Sequence, residues 1–286
     1  MSIDSFIPEV WSAELLLNFE RKLVYANLVS RDYEGDVSRA GDTVHINTLT
    51  DVTISPYIPG TTTIDPAALS TTSQPLTIDQ AHYFAFGVDD VDKRQAAASS
   101  NLVSEATRNA GYGFAAVVDE YIADLYSGVD SSNDLGPVDL ASGDDAYDLL
   151  IDMRTKCAEV DMPDVGRWCV VPPWVAGLLL NNDKFVRNAA LGEKSSDALL
   201  NGHIGRAAGF DIYESNSNPV ITSGGDDYLV WAGVPSAIGL VAQINEVEAY
   251  RSQTAFEDVV RGLQLFGAKL LRPDGIVTAA ATSTAS

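Results

Sequence analysis

The spacing Gly111-x-Gly113-x-x-Ala116 fits the G-x-G-x-x-A pattern that binds dinucleotides in many enzymes. That chemistry requires a strand before the glycines and a helix that begins at them, because the helix N-terminus must face the pyrophosphate. Here the glycines follow Glu105 and Arg108 within a long run of helix-favouring residues. The pattern therefore predicts close helix packing rather than a nucleotide site.

A second candidate is a cation-binding loop formed by Asp130, Ser132, Asp134 and Gly136. An EF-hand loop needs glycine at its sixth position and a bidentate glutamate at its twelfth. In this chain the glycine is the seventh residue, and Ala141 occupies the twelfth position. We expect a solvated acidic loop over residues 128–143, with a weak cation site as the alternative.

The candidate nucleophiles and bases do not have the spacing of a known catalytic motif. The three histidines lie far apart, and Cys157 and Cys169 match neither a C-x-x-C redox pair nor a four-ligand zinc pattern. The sequence contains no G-x-S-x-G elbow and no P-loop, and the adjacent acids Asp119-Glu120 and Asp226-Asp227 are interpreted as solvated faces. We expect no catalytic residue, no cofactor, no metal site and two reduced thiols. A hydrolase with dispersed catalytic residues is the least favoured function.

The charge of the chain argues against tight binding of nucleic acid. Eighteen Lys and Arg residues stand against forty Asp and Glu residues, which gives a formal net charge of −22. Affinity for nucleic acid comes chiefly from basic residues that displace condensed counterions. A nucleic-acid partner would therefore be enclosed or nearby, and not tightly bound. No apolar run reaches the roughly 20 residues that span a bilayer. The start of the chain lacks a secretory profile, and we expect folding in the cytoplasm.

Two segments near the N-terminus are predicted to need an external surface. Residues 8–23 form an amphipathic helix with an apolar stripe. Residues 43–88 form a long, projecting β-hairpin with one strand near Ile46, a second strand over residues 77–88, and a tip rich in Pro and Thr. A lone hairpin is only marginally stable in water, so both segments are expected to lie against a neighbouring molecule or against their own core.

A long helix is predicted over residues 93–126, capped by Asp89, Asp90 and Asp92 and about 50 Å long. After it, helices and buried strands alternate, and residues 279–286 are expected to be frayed. The predicted helices run from Asp144 or Asp145 to Cys157 and over residues 174–180, and the predicted strands cover 168–171, 210–213, 228–231, 236–250, 256–271 and 276–277.

The order of these parts resembles the major capsid protein of tailed bacteriophages, which has the Hong Kong 97-like fold. Short sequence segments support the same resemblance. Each segment is moderately specific, and together they follow the same order across nearly the whole chain. The segments are Ile7-Pro8-Glu9-Val10-Trp11, Gly41-Asp42-Thr43-Val44, residues 86–92 leading into Gln95, Val171-Pro172-Pro173, residues 205–216, and Gly267-Ala268-Lys269 through to Gly275.

The resemblance implies an α+β fold whose parts follow in a fixed order. Residues 1–41 would be an N-terminal arm, 42–88 an extended hairpin called the E-loop, and 89–165 a peripheral domain with a long spine helix. Residues 166–240 would be an axial domain, 241–278 a return to the peripheral domain, and 279–286 a flexible tail.

The resemblance also implies a structural protein that self-assembles, as hexamers and pentamers, into an icosahedral shell enclosing phage DNA without a sequence-specific site. Scaffolding, portal and decoration proteins are further expected partners, and a membrane is not. Some family members lock the shell with a covalent bond from an E-loop lysine, but this chain has no lysine between Ala40 and Asp92. We therefore expect noncovalent assembly. The candidate contacts between subunits are Trp11, Leu15 and Phe19 on the arm, and Tyr57, Ile58 and Pro59 at the hairpin tip.

Two other functions remain open at this point. The same fold could form an encapsulin-like compartment around an enzyme cargo, which the sequence separates poorly from a capsid. An acidic surface or binding protein is less favoured, because the chain shows no export signal.

Overall fold

The fold is a mixed arrangement of three sheets and several helices, seen in a computed structural model that describes residues 24–32, 43–49, 54, 59, 71–89, 99–182, 203–221, 227–251 and 257–283. The helices are α1 (Tyr25–Leu28), α2 (Ser99–Ala123), α3 (Gly143–Glu159) and α4 (Pro173–Leu180). The strands are β1 (Thr43–Leu49), β2 (Thr71–Thr77), β3 (Gln80–Asp89), β4 (Asp134–Leu140), β5 (Trp168–Val171), β6 (His203–Ala207), β7 (Phe210–Glu214), β8 (Asp227–Gly233), β9 (Ile238–Arg251), β10 (Glu257–Leu270) and β11 (Ile276–Ser283).

The largest sheet has six strands in the order β4-β11-β8-β5-β7-β6. Its short central strand β5 is buried at every position, as expected for a continuous apolar run covered on both faces. Trp168 of β5 meets Trp231 of β8 edge to face, with ring centroids 5.7 Å apart. Helix α3 begins at a capping box between Ser142 and Asp145 and buries the predicted apolar stripe. The predictions of α3, α4, β5, β7 and β8 are confirmed within a few residues at each end, whereas β6 was not predicted.

Two predictions for this sheet are wrong. Part of the predicted acidic loop, residues 128–143, is strand β4, which pairs in parallel with β11 and carries Pro137 at the sheet edge, where proline is tolerated. The segment expected to fray from residue 279 onwards instead continues β11 to Ser283. Ala279 and Ala281 have no exposed surface, since their small side chains lie within the sheet and its core.

The second sheet has three antiparallel strands in the order β3-β10-β9, and α2 packs on one of its faces. Phe84 of β3 meets Phe114 of α2 at 5.5 Å between ring centroids, and Tyr121 of α2 meets Phe266 of β10 at 5.4 Å. The predicted long helix is thus confirmed as α2, with 25 residues in its described part. Asp89 lies in strand β3 and is not a helix cap.

The third sheet is the hairpin β1-β2, whose register runs from Thr43 opposite Thr77 to Leu49 opposite Thr71. The predicted first strand is confirmed, but its predicted partner over residues 77–88 is wrong. That segment mostly belongs to β3, which pairs with β10 in the second sheet. The physical reason is that Phe84 and Phe86 bury their rings against the core formed with α2, which a projecting hairpin could not offer.

The glycines of the G-x-G pattern lie inside α2, so the helix N-terminus is not at the glycines. The predicted close packing fits Gly111, which is buried, but is wrong for Gly113, which is exposed. A methyl group at Gly113 would meet no atom within 4 Å.

We therefore expect Gly113→Ala to raise the free energy of unfolding by up to about 1 kcal/mol, since glycine is a poor helix former. Urea unfolding of the dissociated subunit measures this change. The matched control is Gly262→Ala, whose new methyl group would lie 2.3 Å from the Phe84 ring and should be destabilising. A destabilised Gly113→Ala variant would contradict the described helix surface.

Candidate intersubunit surfaces

The residues that the sequence offered for chemistry have structural roles. Asp130 accepts a hydrogen bond from the Ser132 backbone N–H at 2.8 Å. Asp134 accepts from the Gly136 N–H at 3.1 Å and from the Thr278 hydroxyl at 3.2 Å. Across the part of the chain that the structure describes, no three His, Cys, Asp or Glu side chains are placed to hold a metal ion. Among the described helices, none combines the length and apolar character needed to cross a membrane.

Both cysteines are unpaired thiols buried in the main core. Burial raises the pKa of Cys157 to about 11, and it raises the pKa of Cys169 still further. Because the thiolate is the reactive form, both groups are inert at neutral pH.

The face of the three-stranded sheet opposite α2 carries a shallow groove of about 520 Å³. Tyr83 of β3 and Tyr250 of β9 stand on the two outer strands. Leu263 of the middle strand β10 lies opposite Tyr83, whereas Tyr250 lies opposite Val259, four residues away along β10. Arg261 lies beside Leu263, 5.0 Å above the Tyr250 ring, and donates to Glu248. The groove is thus an aromatic and aliphatic surface with one ion pair, and 79% of Tyr83 is exposed.

The hairpin β1-β2 covers the other end of this same sheet face. Ile46 and Leu76 are buried there together with Leu265. The contact is close, since a methyl group at Gly267 would lie 2.2 Å from the Thr77 carbonyl oxygen, and the Lys269 ammonium donates to the Pro75 carbonyl at 2.8 Å. The base of the hairpin is therefore fixed to its own subunit.

The segment 24–32, which follows the predicted arm, is anchored in the core. The Tyr25 hydroxyl accepts from the Trp231 indole N–H at 2.8 Å and donates to the Asn218 side-chain oxygen. The Ser30 N–H donates to the backbone carbonyls of Pro235 and Ile238, just before and at the start of β9. Residues 24–32, the root of the predicted arm, are therefore held by their own subunit.

A buried carboxylate supports the same root. Asp119 of α2 is 4% exposed and accepts a hydrogen bond from the Val24 backbone N–H at 3.1 Å. Burial raises the pKa of Asp119 from 3.8 to about 6, and hydrogen bonds from the N–H groups of Val24, Ala26 and Tyr25 partly oppose that rise. The interpretation of Asp119 as part of a solvated face is wrong.

Comparison with known proteins identifies the family to which the chain belongs. The family model described as "Phage capsid protein" matches residues 71–279, which is more than half of the chain. The chain belongs to this family. A solved chain from Mycobacterium phage Che8 is 33% identical over 90% of both chains, with a TM-score of 0.69. This capsid protein is a major structural subunit of the virion, and its copies form an icosahedral shell.

More distant structures share the fold of the capsid protein. A capsid chain of cyanophage P-SCSP1u is 16% identical over 93% of this chain and 89% of its own, with a TM-score of 0.65. A virus-like particle from Pyrococcus furiosus is 12% identical over 96% of this chain and 99% of its own, with a TM-score of 0.54. No curated protein sequence matches the chain significantly. The predicted α+β, Hong Kong 97-like fold is confirmed.

One of the six predicted contacts lies within the described part of the capsid protein. Trp11, Leu15, Phe19, Tyr57 and Ile58 lie outside the described residues, so their roles stay predictions. Pro59 is described, and it lies exposed in a turn.

The groove formed by Tyr83, Tyr250 and Leu263 was not predicted, because each residue was interpreted only as part of a strand. A signal was present in β3, where Tyr83, Phe84, Ala85 and Phe86 are apolar on both faces. A strand of this composition indicates cover on both sides of its sheet.

Proposed function

We propose that the capsid protein closes its shell through noncovalent contacts in which the hairpin of each subunit covers a neighbouring subunit. The observation that carries this proposal is the pairing of an anchored hairpin base with an uncovered apolar groove on the same sheet face. If one segment of each subunit covers a different surface on the next subunit, the contacts are head-to-tail. Such contacts close into a ring when the rotation between successive subunits permits it.

The rings are hexamers and pentamers, assembled in the host cytoplasm, and scaffolding, portal and decoration proteins complete the particle. The helix α2 with the three-stranded sheet serves as the peripheral domain, and the strands around β5 form the axial domain. The protein has no enzymatic role. The shell encloses phage DNA without binding it tightly, because a subunit with a formal charge of −22 repels the phosphate groups of DNA.

Negative-stain microscopy of the full chain, expressed alone and with the phage scaffolding protein, tests the proposal. Uniform hollow shells are expected in at least one of the two preparations. Nuclease-resistant DNA inside particles from infected cells supports a capsid, whereas an enclosed enzyme would favour a compartment. A subunit that stays monomeric at high concentration with scaffold present would overturn the proposal.

We expect purified shells to release only the 286-residue monomer in hot detergent. The hairpin segment 43–88 contains no lysine, so it cannot donate an amine to a covalent link between subunits. Denaturing gel electrophoresis of mature particles measures this. A ladder of covalent oligomers that survives boiling would show that another amine performs the cross-link.

A further inference from the structure

The six-stranded sheet ends in two strands that lie far apart and differ in their surroundings. β4 ends the described sheet on one side and β6 on the other, five strand spacings apart, which is about 24 Å. Helix α3 lies over the sheet between them. Its residues Leu149 and Asp152 line a groove with β4, whereas Arg154 lies beside the β6–β7 turn, 3.9 Å from a methyl group built on Gly209. Each flank of α3 therefore borders one edge of the sheet.

The β4 edge is acidic. Residues 109–153, which include β4 and the first half of α3, contain ten Asp and Glu residues and no Lys, Arg or His. Asp148 and Asp152 are exposed and lie one turn apart on the flank of α3 that borders β4. The base that lines the groove, Lys156, is paired with Glu159 at 3.2 Å. This edge therefore presents net negative charge to a neighbour.

A groove of about 330 Å³ lies beside these carboxylates, between β4 and α3. Its apolar lining comes from Leu135 and Val138 of β4 and from Leu149 of α3. An added strand could not pair regularly with β4, because Pro137 lacks an N–H group and Gly136 has a φ of 74°. The groove is therefore suited to an aliphatic side chain of a partner and not to a further strand.

The β6 edge is basic and carries an exposed aliphatic side chain. Arg154 is exposed on the other flank of α3, and Arg206 is exposed on the hairpin β6–β7, whose turn Arg154 borders. Arg206 forms a loose ion pair, with its Nε 3.7 Å from the Asp211 carboxylate, and Glu214 lies at the far end of β7. Ile151, one helical turn before Arg154, is 41% exposed. Two guanidinium groups and an apolar side chain thus form the surface at this edge.

These two edges are complementary to each other. Their charges do not neutralise one another within a subunit, because the distance between the edges exceeds the screening length of about 8 Å at physiological salt. A two-fold contact would place like charge against like charge. A head-to-tail contact instead places the basic edge of one copy against the acidic edge of the next, and repeating it around an axis closes a ring.

We propose that Arg154 and Arg206 of one capsid subunit lie against Asp148 and Asp152 of the next, with Ile151 in the apolar groove between β4 and α3. This inference rests on the proposed function, since it assumes that the subunits form rings. It adds the two surfaces that meet within a ring, and it does not involve the hairpin. The charges set the direction of each contact, and burial of the aliphatic side chain stabilises it.

Charge reversal in the full chain, expressed with the phage scaffolding protein, tests this contact. One variant combines Arg154→Glu with Arg206→Glu, and a second combines Asp148→Lys with Asp152→Lys. Each variant alone sets like charges against each other in every ring contact, so the yield of shells should fall by about tenfold or more. The isolated subunits should unfold at the same urea concentration as the parent, because all four side chains are exposed.

A third variant carries all four substitutions, so that both edges change sign and opposite charges meet again. It should form shells at close to the parental yield. Arg154→Glu alone and Arg108→Glu alone form the matched comparison, since both replace an exposed helix arginine and change the net charge equally. Arg108 lies on α2, which packs on the three-stranded sheet, so its variant should assemble like the parent.

Mixing the two double variants tests the head-to-tail arrangement. Opposite charges meet at every contact only where the two variants alternate around a ring, and alternation requires an even number of subunits. The mixture should therefore form hexamers, seen by negative-stain microscopy as rings, tubes or sheets, whereas pentamers and closed shells should be absent. Closed shells at the parental yield from this mixture would show that the two edges do not meet head to tail.

Three further results would overturn this inference. They are a parental yield of shells from either double variant, a fourfold variant that folds but does not assemble, and equal effects of Arg154→Glu and Arg108→Glu. The parent chain separates this inference from the proposed function. Shells from the parent together with any of these results contradict only the contact between the two edges, whereas the absence of shells from the parent contradicts the proposed function as well.

Discussion

Replacing Tyr25 with Phe is expected to lower the free energy of unfolding by about 2–5 kcal/mol, because one hydroxyl serves two buried partners. The Trp231 indole N–H donates to the Tyr25 oxygen, and the Tyr25 hydroxyl donates to Asn218. Burial raises the pKa of Tyr25 well above its usual value, so the group remains a neutral hydroxyl able to do both. Phenylalanine keeps the ring but leaves a buried donor and a buried acceptor unpaired.

Urea unfolding of the dissociated subunit, at one fixed concentration, measures the loss. The ring contact between residues 25 and 231, 5.2 Å between centroids, is retained in the variant, so the change reports the hydroxyl alone. Tyr83→Phe is the control, since its side chain is exposed and the substitution should change stability by less than about 0.5 kcal/mol. Equal stability of both variants would show that the buried hydrogen bonds contribute nothing.

The sequence predicted the strands better than their partners. The apolar and aromatic residues of 77–88 correctly indicated a strand, but such a composition does not specify which strand pairs with it. Thr71–Thr77, the true partner of β1, contains Pro75 and several threonines and was interpreted as part of the tip. Strand β2 is buried through Leu76, which packs with Leu265, almost 190 residues later in the chain. Such a distant contact leaves no local signal in the sequence.

Strands β4 and β6 were missed for a related reason. β4 is rich in aspartate and contains Pro137, both typical of loops, yet it lies at a sheet edge where proline is tolerated. β6 is joined to β7 by a tight turn in which Ala208 and Gly209 have φ values of 50° and 89°. Hairpin turns with positive φ usually contain Asn-Gly or Asp-Gly, and alanine at the first position hides the turn.

Asp119, the buried carboxylate at the root of the arm, was also misinterpreted. Asp119 and Glu120 are adjacent on α2, but successive helix residues point about 100° apart, so one can face the core while the other is solvated. Glu120 is exposed as predicted, whereas Asp119 faces the core. The apolar residues around it predict a buried helix face, but not that segment 24–32 supplies N–H groups to the carboxylate.

Asp119→Asn is expected to change how stability depends on pH. The folded-state pKa of Asp119 is raised from 3.8 to about 6 by burial, so the folded chain holds a proton that the unfolded chain has released between these two values. The free energy of unfolding therefore falls as pH rises from about 4 to about 6. Above pH 6 the ionised group costs about 3 kcal/mol relative to the protonated one, since each pKa unit corresponds to about 1.4 kcal/mol.

Asparagine is a suitable neutral replacement because the two carboxylate oxygens have different surroundings. Oδ2 accepts from the Val24 N–H, and the amide oxygen can take that place. Oδ1 is buried without a hydrogen-bond partner, so an amide nitrogen there gains and loses no bond to the protein. Urea unfolding from pH 4 to pH 8 should show the variant gaining stability over the parent by up to about 3 kcal/mol as pH rises to 7, followed by a plateau.

Asp130→Asn is the matched control, because the pKa of Asp130 is lowered and not raised. Asp130 is exposed, and hydrogen bonds from Ser132 lower its pKa, so its contribution is present above its usual pKa and is lost only at more acidic pH. The difference between Asp130→Asn and the parent should therefore stay flat between pH 5 and pH 7, where the difference for Asp119→Asn rises. Parallel curves for Asp119→Asn and the parent across this range would mean that Asp119 does not titrate near 6. The Val24 N–H would then be bound by a carboxylate that stays ionised across this range.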